Sequence, residues 1–218
     1  MCYNLYMKKI VWDWNGTLFN DLHLCFSCIN RLLENHSLQP LPDIDAYRNV
    51  FGFPIVDYYQ RIGFDFNQTP FSVLAKEYME DYQSKSMHCS LYSDVMETIE
   101  TVEEKKTPQV ILSASKKAFL MAQIEQFSVK QHMDGIYGIE DIYAHSKVEL
   151  AQAYRKENPR DELWFVGDSI HDYEVAQAID AHCVLVASGH QAKSTLEQMP
   201  APVVDQLSES LEYIYERD

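Results

Sequence analysis

The sequence predicts an α/β protein: a Rossmann-like, doubly wound parallel sheet with an all-helical domain inserted after the first strand. Three observations carry this. Short apolar runs bounded by turn residues recur at 10–12, 109–112, 163–166 and 183–186, as expected of strands buried on both faces. From Ser93 onward these runs alternate with segments of helical periodicity, the pattern of βα units with right-handed crossovers. Between residues 19 and 90 the alternation stops and only helical periodicity remains. Residues 1–18 and 91–218 are therefore assigned to the α/β core. Residues 19–90 form the insert, a lid over the carboxyl edge of the sheet.

The elements follow in order. After the first strand, Asn20-Asp21 offers a helix start, and Leu22, Cys25, Phe26, Ile29, Leu32 and Leu33 recur at helical spacing. Pro40-Leu41-Pro42 breaks that helix, and Asp43 or Asp45 caps a second one running toward Val50. A third helix over 55–62 carries Val56, Tyr59 and Ile62 on one face. A fourth over 70–84 buries Val73, Leu74 and Tyr78, with Met79 and Tyr82 extending the face. No strand is expected within the insert. Asp94 and Glu97 have the spacing of a capping box for the next helix. Strands at 109–112, 135–138, 163–166 and 183–186 then alternate with helices from Lys116, Ser146 and Asp172. Val203-Val204 is an edge strand before a helix over 207–215.

Composition excludes several function classes. A formal charge of −15 argues against a broad basic face for nucleic acid. No apolar run approaches the roughly 18 to 20 residues of a membrane span. Lys8 and Lys9 follow a short mixed segment, the reverse of a signal peptide, so a cytoplasmic protein is expected. Cys2, Cys25, Cys28, Cys89 and Cys183 are an odd, scattered set, which predicts reduced thiols. Cys25 and Cys28 lie inside an amphipathic helical pattern with no second pair, so they are read as core rather than zinc ligands.

Chemistry concentrates at strand ends. Asp13 closes the first strand, where open α/β sheets bind ligands, and Gly16 permits the sharp turn that follows. Ser113 closes the second strong strand; its hydroxyl and the backbone N–H groups beyond it suit a phosphoryl oxygen, or a simple helix cap. Lys147 opens a helix, an unfavourable place for a cation and hence either functional or merely exposed. Gly167-Asp168 ends another buried strand, with Asp172 four residues on. Two acids converging beside Asp13 repel unless a cation lies between them, and hard oxygen ligands suit Mg2+. The alternative makes Asp172 a helix N-cap and Asp168 a turn residue.

In order and spacing these residues resemble the haloacid dehalogenase-like hydrolases. Asp13-Trp14-Asn15-Gly16-Thr17-Leu18 is similar to that family's first motif, Asp-x-Asp-Gly-Thr-Leu. Ser113 fits the second, Lys147 the third, and Gly167-Asp168 with Asp172 the fourth. The insert resembles the family's C1-type cap. Tyr47-Arg48-Asn49-Val50-Phe51-Gly52-Phe53-Pro54 is similar to cap sequence of phosphoglycolate phosphatase-like members.

The resemblance implies a Mg2+-dependent phosphatase acting on a small phosphorylated metabolite, as a monomer or homodimer without nucleic-acid or membrane partners. It implies Asp13 as nucleophile, forming an aspartyl-phosphate, with Mg2+ on Asp13, the Asn15 carbonyl, Asp168 and Asp172. Ser113 and Lys147 would take the charge on the phosphoryl oxygens. Trp14, Ala114 and Arg48 join them in the implied substrate site, Arg48 gripping a remote anionic group if it is more than a surface arginine.

One departure stands out. The family's second Asp, a general acid/base, is Asn15 here, and an amide carries no proton for a leaving alkoxide. Good leaving groups should be favoured, and Asn15→Asp is expected to help alkyl esters most, unless His171 or a cap residue supplies the proton. The alternative reading is a non-catalytic or phosphotransfer-only protein that binds a phospho-ligand. Phosphonate cleavage, suggested by Asp13-Trp14, would need a cap lysine soon after the first motif, and none lies between Leu18 and Ala75. Metal-free dehalogenation does not explain Asp168 and Asp172.

Overall fold

A computed structural model describes residues 7–139 and 146–216. β1 (Lys8–Trp12) leads through a tight turn into β2 (Phe19–Asn20). Four helices follow: α1 (Leu22–Asn35), α2 (Ile44–Val50), α3 (Ile55–Arg61) and α4 (Phe71–Ser86). β3 (Ser90–Leu91) then returns the chain to the core, where α5 (Val95–Glu104) and β4 (Gln109–Lys116) lie. Next come α6 (Lys117–Ile124), β5 (Gly135–Ile139), α7 (Lys147–Glu157) and β6 (Glu162–Gly167). The chain ends with α8 (Ile170–Ala178), β7 (His182–Val186), α9 (Lys193–Leu196), β8 (Val203–Val204) and α10 (Ser210–Tyr215).

Six strands form one parallel sheet in the order β5-β4-β1-β6-β7-β8. β1 is central, and its side chains alternate between two cores. Ile10 and Trp12 join Ile111, Val166 and Val184 on one face; Val11 joins Val110, Leu112, Phe165 and Leu185 on the other. Burial on both faces explains why the strands read as unbroken apolar runs. Among the described residues no helix is long and apolar enough to cross a membrane.

Helices α1 to α4 surround a third apolar cluster of their own, including Ile29, Leu33, Tyr47, Tyr59 and Leu74. The insert is not strand-free: Phe19 pairs with Leu91 and Asn20 with Ser90, antiparallel, where the chain leaves and re-enters the core. Two-residue strands carry too little periodicity to be read from sequence. In α3 the buried side chains are Tyr58 and Tyr59, while Val56 is exposed; in α4, Leu74 and Tyr82 are buried while Val73 and Met79 face solvent. Leu74, Tyr78 and Tyr82 succeed one another at i+4 along α4, which packs on α1, so the apolar residues between them turn outward.

Asp43 caps α2 as expected, accepting from Ala46 N–H at 2.7 Å. Asp94 does not form the expected capping box; its carboxylate accepts from Ser208 N–H instead. Cys25 and Cys28 pack in the insert's core as free thiols, as do Cys89 and Cys183 elsewhere. Cys2, with the rest of the segment before Met7, and His145 lie outside the described residues.

Candidate active site

Register brings three strand ends together. Trp12 pairs with Val166 in β6, and Asp13 N–H donates to the Val166 carbonyl at 2.9 Å, which sets Asp13 beside Asp168. On the other side Trp12 pairs with Ile111 in β4, so Ser113 lies one residue beyond the level of Asp13. Gly16 turns the chain at φ 74°. A Cβ there would lie 2.2 Å from an Asp168 oxygen and 2.5 Å from the His190 ring, so the turn closes on Asp168 only with glycine.

Asp13, Asp168 and Asp172 present carboxylate oxygens within 4.8 Å of one another, all buried. Lys147 enters from α7 and donates to Asp13 at 2.5 Å and to Asp172. These two acids outweigh the helix-terminus penalty: burial works against the ammonium, yet Asp13 and Asp172 raise its pKa. Asp172 is not the N-cap of α8. Ser169 is, and Asp172 sits three residues on in a capping box, accepting from Asp168 N–H, Ser169 N–H and the Ser169 hydroxyl.

The acids therefore differ although two share Lys147. Burial pushes Asp172 up, but Lys147 and the Ser169 hydroxyl hold it below the usual range. Burial pushes Asp13 up to about 7; Lys147 pulls it down, and Asp172 and Asp168 raise it further. Among the described residues Asp13's other side-chain partner is the Thr17 hydroxyl at 3.4 Å. Burial raises Asp168 to about 6 against the pull of His190, whose backbone N–H donates to it at 2.6 Å. Among the described residues, three buried carboxylates converge here and Lys147 is paired with two of them, and an all-oxygen donor set fits a hard divalent cation.

Asn15 does not face empty space. Its Nδ2 donates to Asp21 Oδ2 and to Tyr82 Oη, both at 2.9 Å, and its Oδ1 accepts from Ser115 Oγ at 2.8 Å. Asp21 also accepts from Gly16 N–H, Tyr82 Oη–H, Cys25 Sγ–H and His190 Nε2–H. Burial opposes the Asp21 charge, but His190, Tyr82 and Asn15 together hold its pKa below the usual range. His190 responds in kind: burial disfavours its charge, while Asp21 and Asp168 raise it to about 9.

The chain matches the family model described as haloacid dehalogenase-like hydrolase over residues 10–186. It belongs to the haloacid dehalogenase-like hydrolase family. No curated protein matches the sequence. Solved structures share the fold. A protein from Clostridium acetobutylicum described as a predicted phosphatase superposes with TM-score 0.81 at 18% identity, covering 98% of this chain and 100% of that one. A predicted phosphoglycolate phosphatase from Haemophilus somnus gives 0.73 at 17% identity, covering 96% and 99%. Protein Tyrosine Kinase A from Mycobacterium tuberculosis gives 0.78 at 19% identity, covering 95% and 97%.

In this hydrolase not every expected residue joins the acids. The Trp14 indole is fully buried, stacks on Phe19 and donates to Gln123 at 3.0 Å. It is a core side chain, and only the Trp14 backbone is left for a ligand. Arg48 donates to the carbonyls of Ser188 and Gly189 at 2.6 and 2.9 Å, so its fork holds a core loop rather than lying ready for an anion. Ser113 is buried and accepts from Ser115 N–H at 3.1 Å; Ala114 is exposed, and β4 continues past both to Lys116. His171 stacks on Phe53 at 4.5 Å, and burial lowers its pKa.

A cavity of about 250 Å3 opens along this seam, lined by Asn49, Phe53, Arg61, His171 and Gln191 among others. Asp13 does not line it. Sequence reasoning takes Asp21 for a helix start, Tyr82 for part of an apolar helix face and Tyr47 for part of a cap-like segment, and passes over His190. Their one signal is an acid at a helix N-cap position next to an irregular first motif.

Proposed function

We propose that this hydrolase is a Mg2+-dependent phosphatase acting on a small phosphorylated metabolite through Asp13. The observation that carries the reading is the convergence of Asp13, Asp168 and Asp172 on one buried point, with Lys147 between two of them. Asp13 Oδ attacks phosphorus as the bond to the leaving oxygen breaks, and the leaving group departs as its anion and takes its proton from solvent. Water then attacks the same phosphorus, gives up a proton to solvent, and the phosphorus–Asp13 bond breaks to return the Asp13 carboxylate and release inorganic phosphate. Lys147 offsets the repulsion between Asp13 and a phosphate dianion, and Ser113 with nearby backbone N–H groups orients the phosphoryl oxygens. Asp13, Asp168 and the Asn15 carbonyl are the ligands proposed for Mg2+. Asp172 stands beside them, since its oxygens already serve Lys147 and the β6–α8 turn. When bound, the ion would supply positive charge for the phosphoryl oxygens.

Residues 19–90 act as a cap on this reading. Asp13 is 5% exposed; on this reading the insert swings away to admit substrate, and closure excludes water. The organic part of the substrate then rests in the seam beside Arg61 and His171.

One observation favours a second reading, a phosphotransfer-only protein: the Asn15 amide is bonded to Asp21 and Tyr82 and brings no proton toward Asp13. The test is a panel of phosphate monoesters incubated with the protein and Mg2+, with Asp13→Asn as control. Released inorganic phosphate that requires Asp13 supports the phosphatase. A stoichiometric phosphoryl group retained on Asp13, with no turnover, supports the second reading.

A further inference from the structure

We infer that Asn15 and Asp21 are a matched pair that latches the helical insert over Asp13, and that position 15 carries an amide because Asp21 is a carboxylate. The inference rests on reading residues 19–90 as a cap.

Asp21 lies between β2 and α1, where one of the two connecting strands enters the insert. Its two oxygens collect five donors from four places. Gly16 N–H and Asn15 Nδ2 belong to the catalytic turn; Cys25 Sγ is on α1, Tyr82 Oη on α4, and His190 Nε2 on the loop after β7. The same loop is tied to α2, since Tyr47 Oη meets His190 Nδ1 at 3.0 Å and Arg48 binds the Ser188 and Gly189 carbonyls. Gln191 Nε2 donates to the Phe51 carbonyl at 3.1 Å. Apart from the Cys25 and Tyr82 bonds to Asp21, which lie within the insert, every contact in this set joins the insert to the core. Asp21, Cys25 and His190 also lie close enough to share a cation, but the five donors already fill the carboxylate, so the cluster is a hydrogen-bond hub.

The hub dictates the chemistry of position 15. A carboxylate there would face Asp21 at 2.9 Å with no proton between them, and like charges in a buried site repel strongly. An amide donates where a carboxylate cannot. The two residues can be exchanged in principle. In a double variant carrying Asn15→Asp and Asp21→Asn, the amide now at position 21 donates across the same contact. Its oxygen still accepts from Gly16 and His190, and the carboxylate now at position 15 still accepts from Ser115. Asn15 is thus a positioning residue, set by the hub.

The test is hydrogen–deuterium exchange on metal-free, substrate-free protein, read over residues 44–62, 71–86 and 188–192. It reports on the latch whether or not the protein is a phosphatase. Asn15→Asp should lower protection in these segments roughly 10- to 100-fold, the value of a lost hydrogen bond to a charged group, and leave the sheet strands protected. Asn15→Asp with Asp21→Asn should restore most of it. Tyr82→Phe, which removes one donor to Asp21 and one acceptor for Asn15 but no charge, should give a smaller loss and keeps the test alive if Asn15→Asp does not fold. Wild-type protection in Asn15→Asp, a double variant no better than the single, or no loss in Tyr82→Phe would each overturn the latch. Loss of phosphatase activity in all samples with exchange behaving as stated would overturn only the proposed reaction.

Discussion

Lys147 holds its ammonium 2.5 Å from Asp13 Oδ1 with 4% of its side chain exposed, and donates to Asp172 as well. Removing it leaves three buried carboxylates facing one another. Lys147→Ala should destabilise the metal-free protein by about 3–5 kcal/mol, the usual cost of stripping one partner from a buried ion pair. Mg2+ should recover part of that loss, because a cation can stand in for the missing charge. Chemical denaturation with and without Mg2+ measures both. A variant as stable as wild type in chelator would remove Lys147 from the electrostatic account.

Phosphatase activity should require Mg2+ and vanish in excess chelator. Asp168→Asn should weaken metal binding and turnover together, read by calorimetric titration and phosphate release. Full turnover in EDTA would sink the assignment of these acids to a metal.

Leaving-group dependence should be steep. Without a proton at position 15, acyl and aryl phosphates should outpace alkyl phosphates by about 10²- to 10⁴-fold, the usual contribution of a general acid. Slow hydrolysis of the Asp13 intermediate should appear as a burst before the steady state. The sequence alone suggests that Asn15→Asp would repair this. Asp21 changes that expectation: the single substitution should lower activity on every ester, and a gain for alkyl esters should come only with Asp21→Asn. Equal rates on aryl and alkyl esters in the wild type would mean another group delivers the proton.

His190 gives stability a defined pH dependence. Its folded pKa of about 9 lies above the ordinary 6.5, so folding favours the proton. That contribution is fully present below about pH 6.5 and is lost progressively as pH rises through about 9. In chelator, wild-type Tm should fall across this window more steeply than that of His190→Gln. Parallel curves would show that the proton on His190 does not stabilise the fold.

The central strand and the acids at strand ends were legible in sequence because local rules govern them. A buried strand needs an apolar run, and Asp13 and Asp168 each follow one directly. Lys147 was legible as a misplaced charge. Asp21 was not, because its role is set by His190 on a distant loop and Tyr82 at the far end of another helix. Trp14 and Arg48 misled for the opposite reason. Their chemistry suits a ligand, but Gln123 and the Ser188 and Gly189 carbonyls had already engaged them. Local propensity fixes where a side chain starts; only tertiary packing decides what it meets.

β1 pairs on one side with β4 and on the other with β6, whose residues come about 100 and 150 positions later. A ribosome therefore releases the helical insert, with its own apolar cluster, long before β1 has a neighbour. The segment bearing Asp13 precedes both partner strands and must wait, flanked by an exposed hydrophobic run, until residue 167 has emerged. Parallel pairing across such separations is slow, and waiting strands invite aggregation. No residue of β1 belongs to the insert's apolar cluster, so that strand, and with it Asp13, is set only when β4 and β6 arrive.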